Sequence, residues 1–274
     1  MSGPTRLEVD LHVHSEASYD GHEPIELILE HAADIGLDAV VITDHDTLEA
    51  SVEAAELAPD YGLVGIPGVE VSTADGHLLG IGVEEMPPTG RPMEETVAAV
   101  RAQGGVAVVP HPFQRTRHGV RKRRLKAVDP DAIETFNAWL FTGYRNRRAR
   151  QYAARYGYPG VGGSDAHSLL TVGRAYTEVT VDAPIAEVDA ADVVDAIRAG
   201  DTDIRGHRAS VRRSAGHYAK AAGRKAAWGV ETAARKSGYG AMVAAKHGGG
   251  GASTVLRKGG YGARRVAAGA LPFV

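Results

Sequence analysis

Apolar and polar positions follow two rhythms along residues 7–181. The runs LEVDLHV, DAVVIT, LVGIPGVEV, HLLGIGV, GVAVVP, AIETF, PGVGG and AYTEVTV read as strands. Several are unbroken Val/Ile/Leu stretches of the kind buried on both faces in a parallel sheet. Between them, residues 24–36, 47–57, 93–104 and 143–156 carry helical spacing, with Pro24 and Pro92 suited to helix starts and Gly36 and Gly104 to stops. Alternating strand and helix predicts a parallel α/β architecture. So many short units in about 200 residues predict a compact barrel, smaller than a standard eight-unit one. The rhythm ends near residue 205, where Gly and Ala take over. There RKSGYGA (235–241) recurs as RKGGYGA (257–263), an offset of 22 residues or about six helical turns. The expected organisation is a body, 1–204, and a Gly/Ala-rich C-terminal segment, 205–274, partly helical or flexible.

Composition sharpens that division. The 274 residues carry a net charge of −3, yet residues 205–274 hold 14 Lys and Arg against Glu231 alone, a balance of +13. The body holds the remaining 17 against 33 acids, a balance of −16, and its only lysines are Lys122 and Lys126. The chain has no cysteine, which excludes disulfides, thiol nucleophiles, iron–sulfur clusters and cysteine–zinc sites. Metal chemistry must rest on Asp, Glu and the 12 His. No apolar run approaches a membrane span, and the N-terminus lacks the apolar core of a signal peptide. The expectation is a cytoplasmic protein with no transmembrane segment.

The ionisable residues fall at strand ends. His12 and His14 end the first strand, Asp44-His45-Asp46 follow the second, and Glu70 ends the third. His111 follows GVAVVP, and Asp165 and His167 follow PGVGG. Barrel active sites are built at the C-terminal ends of strands. His77 instead begins a strand, so it joins the others only if that strand runs against its neighbour. An H-x-H pair puts two imidazoles on one side of a strand and is a weak signal alone. Taken together with Asp20, so many buried ionisable groups would be costly without divalent cations.

In this order, DLHVHS, ITDHDT, GVEVS, HPF and GSDAH resemble the PHP (polymerase and histidinol phosphatase) family of metal-dependent phosphoesterases, over residues 9 to about 181. The amidohydrolase family also opens with H-x-H but expects a bridging lysine midway in its barrel. Lys122 and Lys126 lie in an arginine-rich loop, so that reading is weaker. The PHP resemblance implies a distorted seven-stranded β/α barrel and three metal positions. His12, His14, Glu70 and Asp165 would hold one ion. Glu70 would bridge to a second, completed by His77 and His111, and Asp20, His45 and His167 would hold a third. Asp20 has a second reading as a helix cap. Such donors suit Zn, Mn or Fe over Ca or Mg. In that reading water becomes a metal-activated hydroxide, and Glu70, Asp165 and His167 form the catalytic set. Asp10, Asp44 and Asp46 would hold ligand imidazoles or cap turns.

For substrate, Arg117 and Arg115 follow the ligand His111 and offer guanidinium forks to phosphate oxygens, while Arg121–Arg124 read as a solvated loop. Asn137 and Glu134 end a strand, with Asn137 a candidate substrate contact. The interval from His77 to His111 leaves room for a loop and one helix, which predicts an open site. The first expectation is a phosphomonoesterase acting on a small phosphorylated metabolite or nucleotide. The alternatives are an exonuclease on RNA or DNA ends, or a metal-stabilised nucleic-acid-binding module. In the C-terminal segment, Tyr218, Trp228, Tyr239 and Tyr261 among the cations would suit nucleic acid or an anionic membrane surface.

Overall fold

Each long apolar run of the body forms a strand in the computed structural model, which describes residues 4–140 and 143–207 apart from the side chain of Arg115. The elements follow as β1 (Thr5–Val13), α1 (Ile25–Asp34), β2 (Ala39–Ile42), α2 (Glu49–Leu57), β3 (Gly68–Thr73), β4 (Gly76–Ile81), α3 (Met93–Ala102) and β5 (Val106–Val109). Then come α4 (Lys122–Val128), β6 (Ala132–Asn137), α5 (Gly143–Tyr156), β7 (Gly160–Gly163), β8 (Ala175–Val181), α6 (Ala190–Ala199) and β9 (Thr202–Gly206). Pro24 and Pro92 cap α1 and α3 at their N-termini. Gly36 and Gly104 follow the same helices at φ 85° and 83°, the left-handed turn that ends a helix and that glycine adopts without strain.

The strands form two sheets, ordered β2-β1-β8-β9 and β3-β4-β5-β6-β7. This corrects two expectations. The sheets are mixed, because β4 runs antiparallel to both β3 and β5. Only Ala74 and Asp75 separate β3 from β4, too few for the crossover that parallel neighbours require. The described residues also show nine strands and no closed seven-stranded barrel. Among the described residues, isolated bridges join the sheets, Val13 with Ala166 and His45 with Glu70. Regular ladders stop there because Asp46 and Asp165 take positive φ, 54° and 55°, turning the chain out of strand geometry.

Leu7, Val9 and Leu11 of β1 pack with Leu79, Ile81, Val106 and Val108 from the other sheet, and Val193 and Ile197 of α6 complete that core. Each such buried side chain contributes about 1.5–3 kcal/mol. Neither α6 nor β9 is evident from strand runs. Asp189 caps α6, accepting from the Ala191 and Asp192 amides, and Gly200 ends it at φ 84°. The stretch expected as a solvated loop, Arg121–Arg124, starts α4 instead, with Arg124 paired to Asp75 and Glu94. Among the described residues no helix is long and apolar enough to cross a membrane. The 22-residue repeat and the aromatic residues of the C-terminal segment lie outside the described residues.

Candidate metal centre

Glu70 organises the site. It sits in the middle of β3, fully buried, and its two carboxylate oxygens face two groups of imidazoles. Toward Oε2 point His12 Nε2 and His14 Nε2, both at 3.3 Å, and His45 Nδ1 at 3.4 Å. Toward Oε1 point His77 Nδ1 at 2.8 Å and His111 Nε2 at 3.0 Å. His12 and His14 alternate along one strand, which puts both on the same side. His77 reaches the group because β4 is antiparallel to β3 and the turn sets His77 opposite Ser72.

Two more carboxylates complete the cluster. Asp165 Oδ1 lies 3.6 Å from both His12 Nε2 and His14 Nε2 and 3.7 Å from His167 Nδ1. Asp20 Oδ2 lies 3.1 Å from His167 Nε2 and 3.4 Å from His45 Nε2. The helix-cap reading of Asp20 gives way here, since α1 has no side-chain cap. Four overlapping triads have donor atoms within 4.8 Å of one another: His12/His14/Asp165, His12/Glu70/His111, His14/Asp20/His45 and His45/Glu70/His77.

These distances fit metal coordination. An ion about 2.0–2.2 Å from each donor sets neighbouring donors roughly 3.0–3.5 Å apart. Moreover His14 Nε2, His45 Nδ1 and His111 Nδ1 are buried without a hydrogen-bond partner, each a cost of about 1–3 kcal/mol as the atoms stand. Cations set between the imidazoles and Glu70 would satisfy the first two. The protein charges respond to the same crowding. Burial opposes ionisation of both Glu70 and Asp165, but surrounding His, and for Asp165 Arg117, hold both well below the usual carboxylate range. Burial also opposes the charged form of His14, yet Asp165 and Glu70 push it up to about 10. His45, His111 and His167 are lowered, chiefly by burial, and so favour the neutral form that metals bind.

Supporting groups lock the donors. Glu134 Oε1 lies 3.0 Å from His12 Nδ1, and its Oε2 accepts from the His111 backbone amide at 2.6 Å. One carboxylate thus orients donors from two strands, a role the sequence did not assign to it. Asp10 does not hold an imidazole. It accepts from the amides of Ser164 and Gly173, both at 2.9 Å, and burial pushes it up to about 6. Asp44 holds the Ser15 amide and hydroxyl, and Asp46 accepts from the Ser72 amide. Tyr19 stacks on His45 and His118 on His77, with ring centroids 4.8 and 5.1 Å apart. No motif pointed to either ring. His111, His118 and Asp165 have positive φ, a strain of about 1–3 kcal/mol each for non-glycine residues that concentrates at functional sites.

The expected substrate residues fare differently. Arg117 is buried at the site and grips Asp165 with both terminal nitrogens. Asn137 is fully buried; its amide donates to Asp165 Oδ2 at 2.8 Å and Glu134 Oε2 at 3.0 Å and accepts from the Trp139 amide. That geometry makes it a strut between two carboxylates. The Arg115 side chain lies outside the described residues. A loop and α3 alone connect β4 to β5.

Because Glu134 orients His12 and positions His111, Glu134→Gln is expected to weaken metal affinity about 10–100-fold while the chain stays folded. Metal titration against a chelator, with circular dichroism as the folding check, measures it. Unchanged affinity would assign Glu134 to packing alone.

A buried cluster of imidazoles and carboxylates at the strand ends of a mixed α/β fold defines a metal-dependent hydrolytic enzyme. The chain belongs to the PHP family of metal-dependent phosphoesterases: the PHP-domain family model matches residues 10–138 and the PHP-associated model residues 143–202. An uncharacterized protein of Methanocaldococcus jannaschii is 32% identical over 153 residues, covering 52% of this chain and 89% of that one. A phosphoribosyl 1,2-cyclic phosphate 1,2-diphosphodiesterase of Eggerthella lenta is 42% identical over 85 residues, 29% of this chain and 32% of its own length. The fold is shared with a two-domain protein of Bacteroides vulgatus containing a predicted PHP-like metal-dependent phosphoesterase. The TM-score is 0.60 at 20% identity, over 76% of this chain and 66% of that one.

Proposed function

We propose that the chain removes the phosphate from a small phosphorylated metabolite or nucleotide at a site of two or three divalent ions, Zn, Mn or Fe. One observation carries this reading: fully buried Glu70 faces five imidazoles, three on one oxygen and two on the other, the arrangement of a carboxylate that bridges two cations. His12, His14, Glu70 and Asp165 would hold the first ion, Glu70, His77 and His111 the second, and Asp20, His45 and His167 the third. Bound ions of this kind acidify water and neutralise phosphoryl oxygens.

The residues of the chain supply the rest. Glu134 and Asn137 fix the donor geometry, and Tyr19 and His118 cover His45 and His77. Arg117 offers the bidentate fork that suits a phosphate. Charge favours a monoester. Three dications outweigh the three carboxylates that would hold them, Glu70, Asp165 and Asp20, and a dianionic phosphate offsets that surplus better than a monoanionic diester. The Eggerthella relative is named for a cyclic diester, so diester cleavage, including exonuclease action on nucleic-acid ends, is the second reading.

Metal content per chain and hydrolysis of p-nitrophenyl phosphate and its bis ester test both. The expected result is two or three ions, preference for the monoester, and loss of turnover in His12→Ala. A preference for the bis ester would replace the first reading with the second. Absence of bound metal after add-back of Mn²⁺ or Zn²⁺ would overturn the site.

A further inference from the structure

A second cluster of cations lies apart from the metal centre, between α4 and α5. Among the described residues of the acidic body, Arg6, Arg91, Arg101, Arg117, Arg124 and Arg198 are paired with a carboxylate. Arg148 and Arg155 are not, nor is Lys122; among the described residues none of the three has a carboxylate within ion-pair distance. The two arginines lie instead over aromatic rings. Arg148 Cζ is 4.7 Å from the Phe113 ring centroid, and Arg155 Cζ is 5.8 Å from that of Tyr156.

These side chains line one cavity of about 130 Å³, well above the ~10–15 Å³ that a single water needs. Arg148, Tyr152 and Arg155 stand at i, i+4 and i+7 on α5 and so share a face. Lys122 closes the cavity from α4 and Phe113 from the loop after β5, and no carboxylate lines it. The Tyr152 side chain is 4% exposed, and its hydroxyl is buried without a hydrogen-bond partner. A buried, unsatisfied hydroxyl costs about 1–3 kcal/mol, which a bound acceptor would recover. Burial also raises the Tyr152 pKa, keeping the hydroxyl a donor.

We propose that this cavity is a second anion site that takes a phosphate group, with Arg148, Arg155 and Lys122 as its charged contacts and the Tyr152 hydroxyl as a donor. Gln151 adds a side-chain amide, and Tyr156, more exposed than Tyr152, offers a ring face if the phosphate is carried on an aromatic group. Phe113 is two residues beyond His111, its amide donates to Val120 O at 3.0 Å, and that bond closes the loop bearing Arg117.

The test is calorimetric titration of the metal-loaded full chain with inorganic phosphate. The wild type is expected to bind one phosphate more per chain than the Arg148→Gln/Arg155→Gln double variant. Tyr152→Phe keeps the ring and removes the hydroxyl, and is expected to weaken that phosphate about tenfold. Should the double variant fail to fold by circular dichroism, Tyr152→Phe decides alone. Phenylphosphonate, which cannot be hydrolysed, identifies the source. Tighter binding than phosphate, lost in Tyr156→Ala, indicates an aromatic phosphate, whereas equal binding indicates the free anion. Equal phosphate stoichiometry and affinity in wild type and variants would overturn the site. That failure would leave the metal centre untouched, because none of its donors is altered.

Discussion

Glu70→Gln is expected to reduce hydrolysis by on the order of 10³-fold or more, and to lower bound metal by at least one ion per chain. The substitution is nearly isosteric, so the fully buried position on β3 keeps its packing. What it removes is the charge that both imidazole groups face. Oε2 serves His12, His14 and His45, while Oε1 serves His77 and His111. A neutral amide presents one weak acceptor and one donor, and the donor points at nitrogens that must themselves be lone-pair donors to bind metal. Ions supply several kcal/mol of transition-state stabilisation, and each 1.36 kcal/mol is tenfold in rate. Metal analysis and turnover of p-nitrophenyl phosphate on one preparation measure both effects. Bound metal equal to wild type would show that Glu70 is a counter-charge to imidazolium and bridges nothing. The comparison with Glu134→Gln is informative, since Glu134 touches one imidazole and two amides, of His111 and Asn137, and should cost far less.

How far the sequence reached can be judged at individual residues. His12, His14, His45, His111, Asp165 and His167 are legible because strand runs end visibly beside them, and strand ends share one end of the fold, whereas Glu70 lies inside β3. His77 was the awkward one in phase, and the antiparallel β4 resolves it. The topology was less legible. A turn as short as Ala74-Asp75 rules out a parallel pair, but HLLGIGV has the apolar composition of a buried parallel strand. The cues for α6 were present, with Asp189 and Asp192 three apart and Gly200 at the end, yet its periodicity lies outside the strand pattern. The roles of Glu134, Asn137, Tyr19 and His118 depend on which loops meet across the site, over sequence separations such as the 122 residues between His12 and Glu134. Spacing within a motif carries no such information. The same limit hid the cavity between α4 and α5, since Lys122 and Arg148 become neighbours only when both helices pack on the second sheet.

Arg117→Ala is expected to move substrate and metal affinities in opposite directions. In the structure the guanidinium grips both oxygens of Asp165, so it occupies the carboxylate that the first ion would need. The pairing stabilises Asp165 as an anion, as a cation would. Metal and Arg117 therefore compete for one buried charge, and an ion that wins Asp165 releases a bidentate fork at the mouth of the site. Removing the side chain deletes the competitor, so metal affinity should rise. Under the proposed function it would also delete a charge-assisted contact to phosphate worth about 1.5–3 kcal/mol, so KM should rise about 10–100-fold. Arg117→Lys separates the two effects. A lysine keeps the charge but lacks the planar fork, so it should restore part of the KM and compete less for Asp165. Chelator-competition measurements of Mn²⁺ affinity and steady-state kinetics at saturating metal read out both quantities. Weaker metal binding in Arg117→Ala would mean that the guanidinium holds Asp165 in its ligating position, and the exchange between metal and substrate would be excluded.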